Sequence, residues 1–171
     1  NRGVYNESSS SPTMTNVTAT ATGGTENRGV YNSSSSPTMN NVTATATGGT
    51  ENHGVYNDSS SSPTMTNVTA TATGGTFSHG VINYSSSSPS MNNVTATATG
   101  GTNSYGVYNN SLSSPSIRNS SITGSTNSIR NSGTSSAQVA DTALGGVVTG
   151  TGFTCLGVYT TAFVALSGGC L

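Results

Sequence analysis

Charged side chains are nearly missing from this 171-residue chain, which has no Lys, four Arg and five acidic residues. A typical globular domain is about one-quarter charged, whereas 5% of these residues carry charge. No basic stripe could follow a phosphate backbone, so the composition argues against nucleic acid as a partner. The chain also lacks a polybasic cluster and a long apolar run, so we expect no membrane span.

Large apolar residues are scarce as well, and Trp is absent. Such composition is typical of disordered chains when net charge is high, or of Ser/Thr-rich stalks. Here the formal net charge is −1, and small apolar residues recur in strict register. Residues 17–22 alternate apolar and polar side chains, the period of a half-buried strand. These patterns favour a folded chain over a disordered one or a stalk.

Cys155 and Cys170 are the two cysteines of the sequence. They form no CxxC motif and have no His nearby, so a metal site is not indicated. We expect a disulfide that closes the C-terminal segment, which predicts an oxidising, extracellular or cell-surface setting. Two buried free thiols are the alternative. Because the sequence begins at Asn1 inside a repeat, it is interpreted either as processed or as the end of a longer array.

One repeat, GVYN-x-SSSSP-x-M-x-N-VTATATGGT, occurs four times nearly unchanged and a fifth time more loosely. The GVYN segments, one of them GVIN, begin at Gly3, Gly29, Gly54, Gly80 and Gly106, in steps of 26, 25, 26 and 26 residues. A fixed period in this range indicates a solenoid in which each repeat is one coil. Three strands and three corners fit one coil, and successive coils should lie about 4.8 Å apart.

The VTATAT strand assigns residues to two faces. We expect its Val column to lie in the core: Val17, Val42, Val68 and Val94. The Asn before each Val should form a structural amide ladder at a corner: Asn16, Asn41, Asn67 and Asn93. The outward face should carry a Thr grid: Thr18, Thr20, Thr22, Thr43, Thr45, Thr47, Thr69, Thr71, Thr73, Thr95, Thr97 and Thr99. Met39 should enter the core, whereas the pattern leaves open whether Val30 or Tyr31 points inward.

Stacked NVTATAT strands, Asn corners and GVYN–SSSSP segments resemble the parallel β-helix repeat proteins secreted by bacteria. Residues 120–124, 128–131, 137–141 and 152–159 resemble the degenerate end of such arrays. The predicted fold is an all-β, right-handed parallel β-helix of about 25–26 residues per coil with a disulfide-reinforced C-terminal cap. One domain should span residues 1–171, with regular repeats in 1–110, degenerate coils in 111–150 and the cap in 151–171.

Two columns of residues that stack from coil to coil are candidate chemical sites. His53 and His79 should lie about 5 Å apart, but no third metal ligand is evident, and we expect a solvated corner with weak ion pairs. Glu7 and Asp58 share a column two coils apart, about 10 Å, which weakly suggests a polysaccharide-binding or polysaccharide-cleaving β-helix. The prediction is a non-enzymatic protein with no catalytic residue, metal or cofactor.

Asn-x-Ser/Thr triplets recur along the chain. The Asn-Val-Thr set is expected to point inward at a corner, where a glycan does not fit. N-glycosylation, where present, is therefore expected at Asn32, Asn57 and Asn83.

We interpret the chain as an extracellular structural protein, either a fibre subunit or the distal rod of a surface adhesin. Open coil ends favour end-to-end self-association, with Phe153, Phe163 and Leu166 as the complementary surface. Surface glycans or ice are possible further partners. The main alternative is an ice-binding protein that uses the Thr grid, although Thr also favours strands for structural reasons.

Overall fold

Three parallel β-sheets run along the whole molecule in the computed structural model, which describes residues 1–167 and 170. The first four coils contain β1 (Arg2–Glu7), β2 (Thr13–Thr15), β3 (Thr18–Thr22), β4 (Glu26–Ser33), β5 (Thr38–Asn40), β6 (Thr43–Thr47), β7 (Glu51–Asp58), β8 (Thr64–Thr66), β9 (Thr69–Thr73), β10 (Phe77–Asn83), β11 (Ser90–Asn92) and β12 (Thr95–Thr99). The later coils contain β13 (Asn103–Asn109), β14 (Ser116–Arg118), β15 (Ser121–Gly124), β16 (Asn127–Asn131), β17 (Ala137–Ala140), β18 (Ala143–Leu144), β19 (Val148–Thr149), β20 (Phe153–Leu156) and β21 (Tyr159–Thr160).

Each coil gives one strand to each sheet, so every sheet has seven strands. Sheet A is β1-β4-β7-β10-β13-β16-β19, sheet B is β2-β5-β8-β11-β14-β17-β20, and sheet C is β3-β6-β9-β12-β15-β18-β21. Equivalent residues of successive repeats face each other, as Val30 does Val55 and Ala44 does Ala70. Seven stacked strands per sheet correspond to about six turns between the first strand and the last. The chain is therefore an all-β parallel solenoid, which confirms the predicted architecture. The residues described here form no helix, and so none that could cross a membrane.

The core is a narrow column of Val, Ala and Met side chains. Val30, Val55 and Val81 are fully buried, so the Val of GVYN points inward and the neighbouring Tyr outward. Met39 and Met65 are also fully buried, in sheet B. The predicted Val column lies inside: Val42, Val68 and Val94 are buried, and Val17, in the first coil, is half-buried.

Gly in GVYN allows sheets A and C to approach each other closely. A Cβ atom added to Gly54 would lie 2.6 Å from the carbonyl oxygen of Gly80 and 2.7 Å from the amide nitrogen of Thr71. Both neighbours are backbone atoms and cannot move aside without disturbing a strand. The Ala residues of sheet C keep the same wall thin, so this side of the solenoid is packed backbone against backbone.

Corners between sheets use the left-handed backbone region. Gly48 has φ 81°, Asn41 has φ 53° and Ser34 has φ 50°, and equivalent residues repeat these values in neighbouring coils. Gly and Asn adopt this region at little cost. The GG, Asn and Ser-run elements of the repeat thus mark the three corners of each coil.

The C-terminal coils carry larger side chains and end in a cap. Met91, Ala96 and Val107 are followed in their columns by Ile117, Ile122 and Ile129, all fully buried. The predicted disulfide is present between Cys155 and Cys170.

The outer edge of the last strand in sheet C is covered by the chain itself. Tyr159 forms an antiparallel bridge with Ala165. The Thr160 N–H donates to the Val164 carbonyl, and the Leu166 N–H donates to the Val158 carbonyl, each at 2.8 Å. Backbone pairing of this strand with another coil is therefore blocked.

Candidate functional surfaces

A buried amide ladder runs along sheet A. Asn32 Nδ2 donates to Asn57 Oδ1 at 2.8 Å, and Asn57 Nδ2 donates to Asn83 Oδ1 at 2.9 Å. The ladder begins at Asn6, continues through Asn109 to Asn131, and ends where Asn131 Nδ2 donates to the Thr151 carbonyl at 2.9 Å. Each amide is thereby satisfied inside a core with few other polar partners.

This ladder corrects the expected glycosylation sites. Asn32, Asn57 and Asn83 are 0% exposed, so no glycan can be attached to them in the folded protein. A sequence signal for this placement did exist, because Val30 and Asn32 are two residues apart on one strand and must share a face. Once Val30 is inside, Asn32 is inside as well.

The predicted Asn ladder lies at a corner, with its side chains outward rather than inward. Asn41 Nδ2 donates to Asn16 Oδ1 at 3.1 Å, Asn67 Nδ2 to Asn41 Oδ1 at 3.0 Å, and Asn93 Nδ2 to Asn67 Oδ1 at 2.7 Å. These residues are exposed and left-handed. A left-handed corner turns the side chain away from the core, which the period-two reasoning for strands does not anticipate.

The outward face of sheet C carries the Thr side chains of four identical TATAT strands. Thr45 faces Thr20 and Thr71 in the neighbouring strands, and the same register holds along the sheet. Every side chain of the grid is exposed or half-buried: Thr18, Thr20, Thr22, Thr43, Thr45, Thr47, Thr69, Thr71, Thr73, Thr95, Thr97 and Thr99. Ala side chains behind them are buried, so the face is a regular array of hydroxyl and methyl groups.

The histidine column is buried, which corrects the expectation of a solvated corner. His53 and His79 are each 3% exposed, and their rings are 5.0 Å apart and nearly parallel. Their Nδ1 atoms lie 3.1 Å apart. Burial lowers the pKa of His53, and burial together with the charge of His53 holds the pKa of His79 well below its usual range. Both rings are therefore neutral near pH 7.

Their neighbours fix the tautomers. His53 Nε2 lies 3.7 Å from a Glu51 carboxylate oxygen, so we place the His53 proton on Nε2. His53 Nδ1 then accepts a hydrogen bond from His79 Nδ1–H. This leaves a lone pair on His79 Nε2, which is buried and has no hydrogen-bond partner in the structure.

Arg and Tyr side chains extend the same outer face of sheet A. The Arg28 guanidinium lies 4.7 Å from the ring centre of Tyr31 and 4.8 Å from that of Tyr56. Arg28 also donates to Glu26 at 2.8 Å. Tyr31 and Tyr56 stack with centroids 5.1 Å apart. These contacts form a rigid aromatic surface on which few side chains can move independently.

The carboxylate column contains Glu7 and Asp58. Strand register places Ser33 between Glu7 and Asp58, as the sequence indicated. Asp58 Oδ1 accepts a hydrogen bond from the Ser59 N–H at 2.7 Å, which is a turn contact. Among residues 1–167 and 170, no group of three or more His, Cys, Asp or Glu side chains is placed to hold a metal ion.

Exposed apolar residues gather near the C-terminal cap. Val147, Leu156, Phe163 and Val164 are 64%, 75%, 85% and 59% exposed. Phe163 stacks on Tyr159 with ring centroids 5.9 Å apart. Phe153 and Leu166 instead pack partly against the core, so of the three residues expected to form a complementary surface, Phe163 lies on the outside.

No protein-family model matches the chain, and no curated protein matches it either.

Proposed function

We propose that this protein is an extracellular structural protein, a fibre subunit or the rod of a surface adhesin. The continuous axial bonding carries this proposal. Three parallel sheets and two amide ladders run from coil to coil, and each coil is held mainly by its two neighbours. Such a molecule is a stiff rod whose length scales with repeat number. The Cys155–Cys170 disulfide is consistent with an oxidising location.

Self-association, in this proposal, uses the C-terminal cap. Because the Tyr159–Ala165 bridge covers the edge of sheet C, contact there must form through side chains rather than through a continued backbone ladder. Phe163 and Val164 supply exposed apolar surface at this end. Large exposed apolar groups of this kind mark interaction sites.

Sedimentation velocity over a range of concentrations tests this association, with electron microscopy of the source material. Phe163→Ser and Val164→Ser should shift the protein towards monomer. Leu112→Ser is the matched control, because Leu112 is 63% exposed but lies at a corner away from the cap. A chain that stays monomeric at high concentration, together with source material without fibres, rules out the fibre and leaves the rod of a larger protein.

Ice binding is the second candidate, favoured by the Thr grid. Four TATAT strands in register give three rows of Thr with spacings of about 6.7 Å along the strands and about 4.8 Å across them. Thermal hysteresis measurements test this function. Thr45→Tyr and Thr71→Tyr should abolish any hysteresis, whereas Thr38→Tyr, on the outer face of sheet B, should not. An inactive wild-type protein leaves the grid with a structural role, in which cross-strand Thr pairs each contribute about 0.2–1 kcal/mol.

A further inference from the structure

A cavity of about 220 Å³ opens on the outer face of sheet A, across the second to fifth coils. We propose that this cavity binds one neutral pyranose ring of a glycan. This inference rests on the adhesive part of the proposed function. Its test measures glycan binding rather than self-association, so the glycan site and the fibre proposal can fail independently. The residues that carry the proposal are Tyr56, Phe77, His79, Ile82, Tyr84 and Tyr108.

The cavity exists because the fourth repeat departs from the others. The outward residue of GVYN is Tyr in the repeats on either side, but Ile82 stands between Tyr56 and Tyr108. A missing ring therefore interrupts the Tyr stack. Tyr56 and Tyr108 are two coils apart, about 9.6 Å. Ile82 lies between them, is 6% exposed and lines the cavity with both Tyr residues.

Two further departures in the same repeat place aromatic rings at the rim. Phe77 takes the position that Glu26 and Glu51 occupy in earlier coils. Tyr84 follows GVIN where Asp58 follows GVYN. Phe77 and Tyr84 are 39% and 37% exposed. A repeat that loses one ring from the stack and gains two at the edge has changed its surface from a charged one to an aromatic one.

Two polar atoms among the lining residues lack partners. His79 is 3% exposed, and its Nε2 has no hydrogen-bond partner. The Nε of Arg28, which also lines the cavity, is a buried donor without an acceptor. Leaving a buried polar group unpaired costs about 1–3 kcal/mol. Both atoms are buried, so a ligand that pairs with them does so after neighbouring side chains shift aside, and it gains affinity from the hydrogen bonds then formed.

A pyranose matches this combination of groups. Each hydroxyl group can both donate and accept a hydrogen bond, which suits an unpaired acceptor on His79 and an unpaired donor on Arg28. The C–H face of the sugar ring can pack against Phe77 and Tyr84. Small-molecule sites combine such apolar walls with a few polar groups, and the cavity volume accommodates one ring rather than an extended ligand.

The charges at the rim favour a neutral ligand. Glu51 and Arg28 both line the cavity, so either a cation or an anion meets one attractive and one repulsive group. A quaternary ammonium ion can be held by aromatic rings, but it offers no donor to His79 and no acceptor to Arg28. Tetramethylammonium, which has no hydroxyl group, is therefore the appropriate competitor in a test.

Saturation-transfer difference NMR and titration calorimetry with methyl pyranosides test the site, using the gluco, galacto, manno and N-acetylglucosamine forms and their oligomers. We expect saturable binding in the millimolar range for at least one of them. Ile82→Tyr restores the residue of the other repeats and refills the gap, and Phe77→Glu restores the charged edge. Each variant should raise Kd at least about 10-fold, a loss of about 1.4 kcal/mol.

Tyr5→Ile is the matched control, because it makes the reverse change in the same column three coils away and should leave Kd unchanged. Circular dichroism melts check that each variant is folded. Phe77→Glu should fold like the wild-type protein, because Phe77 is 39% exposed at the rim of the cavity. Absence of binding by every saccharide overturns the proposal. Binding that Ile82→Tyr and Phe77→Glu leave intact places the ligand elsewhere and also overturns it, as does binding of tetramethylammonium without binding of any sugar.

Discussion

His79 donates from Nδ1 to Nδ1 of His53 across 3.1 Å, and both rings are buried between coils. Protonation of both imidazoles would break this contact, because no Nδ1 lone pair would remain to accept the hydrogen bond and the two charged rings would repel each other. The pair therefore couples the junction between the third and fourth coils to the pH of the surroundings.

Stability should fall as the pH drops below about 6.5, the pKa of unfolded His. Burial is the main cause of the lowered pKa of both rings in the folded chain. Below pH 6.5 the two His side chains bind protons in the unfolded chain but not in the folded chain. The free energy of unfolding therefore rises with pH in this window. The slope should reach up to about 1.4 kcal/mol per pH unit for each His and vanish below the folded pKa values.

Urea unfolding at a series of pH values between about 7.5 and 5 measures this slope, above the range in which most carboxylates titrate. The variant His53→Arg/His79→Tyr places in each position a residue that the same column carries in a neighbouring coil, Arg28 and Tyr105. It should remove most of the pH dependence. An equal slope in the wild-type protein and the variant would contradict the prediction.

The buried amide ladder should contribute more stability than the exposed one. Asn57→Ala leaves Asn32 without an acceptor and Asn83 without a donor, each buried. We expect a loss of about 2–4 kcal/mol. Asn67→Gly removes a rung of the exposed ladder while keeping the left-handed backbone, φ 54°, and should cost less than about 1 kcal/mol. Chemical unfolding of both variants measures the difference, and equal losses would show that burial of the ladder is irrelevant.

Gly54→Ala should destabilise the solenoid far more than Gly74→Ala. The new Cβ at residue 54 meets backbone atoms 2.6 and 2.7 Å away, and separating the sheets disturbs packing on both sides. At Gly74 nothing lies within 4 Å, but the φ of 81° still disfavours Ala, at a cost of about 1–2 kcal/mol. Thermal melts should rank the variants in this order, and the opposite order would refute the role of Gly in sheet approach.

Reduction of the Cys155–Cys170 disulfide should loosen the C-terminal cap selectively. The bond closes a loop with a sequence separation of 15, for which the chain-entropy description gives about 3 kcal/mol. Coils in a solenoid depend mainly on their neighbours, so the first four should keep their structure. Hydrogen exchange should show lost protection after about residue 148 in Cys155→Ser/Cys170→Ser, with the TATAT strands unchanged. Uniform loss of protection would indicate that the cap controls the whole array.

Repeats allowed much of the architecture to be predicted from sequence. A fixed period of 25 or 26 residues determines register, and alternation in VTATAT determines which of Val42 and Thr43 is inside. The GVYN segment is harder to interpret, because Val and Tyr are both residue types that are often buried. The sequence pattern therefore does not show which of Val30 and Tyr31 points into the core. Because Asn32 shares a strand face with Val30, the same uncertainty applies to it. The sequence analysis places Asn32 on the surface, whereas it is 0% exposed.

The aromatic cavity shows a different limit. The substitution of Ile82 for Tyr and of Phe77 for Glu is visible in the aligned repeats, and it marks the fourth coil as unusual. However, sequence does not reveal that His79 is buried with an unpaired nitrogen, because that depends on stacking between His53 and Tyr105. Long-range packing, rather than local pattern, determines this part of the surface.

The end of the buried amide ladder at Thr151 also has an evolutionary consequence. Between Asn6 and Asn131 each rung is an amide that donates to the next amide, so a duplicated coil can be inserted there and finds equivalent partners on both sides. After Asn131 the acceptor is the backbone carbonyl of Thr151, and a further coil placed there would lose that match. Internal duplication can thus lengthen the solenoid while the contacts between Asn131 and the C-terminal cap stay unchanged.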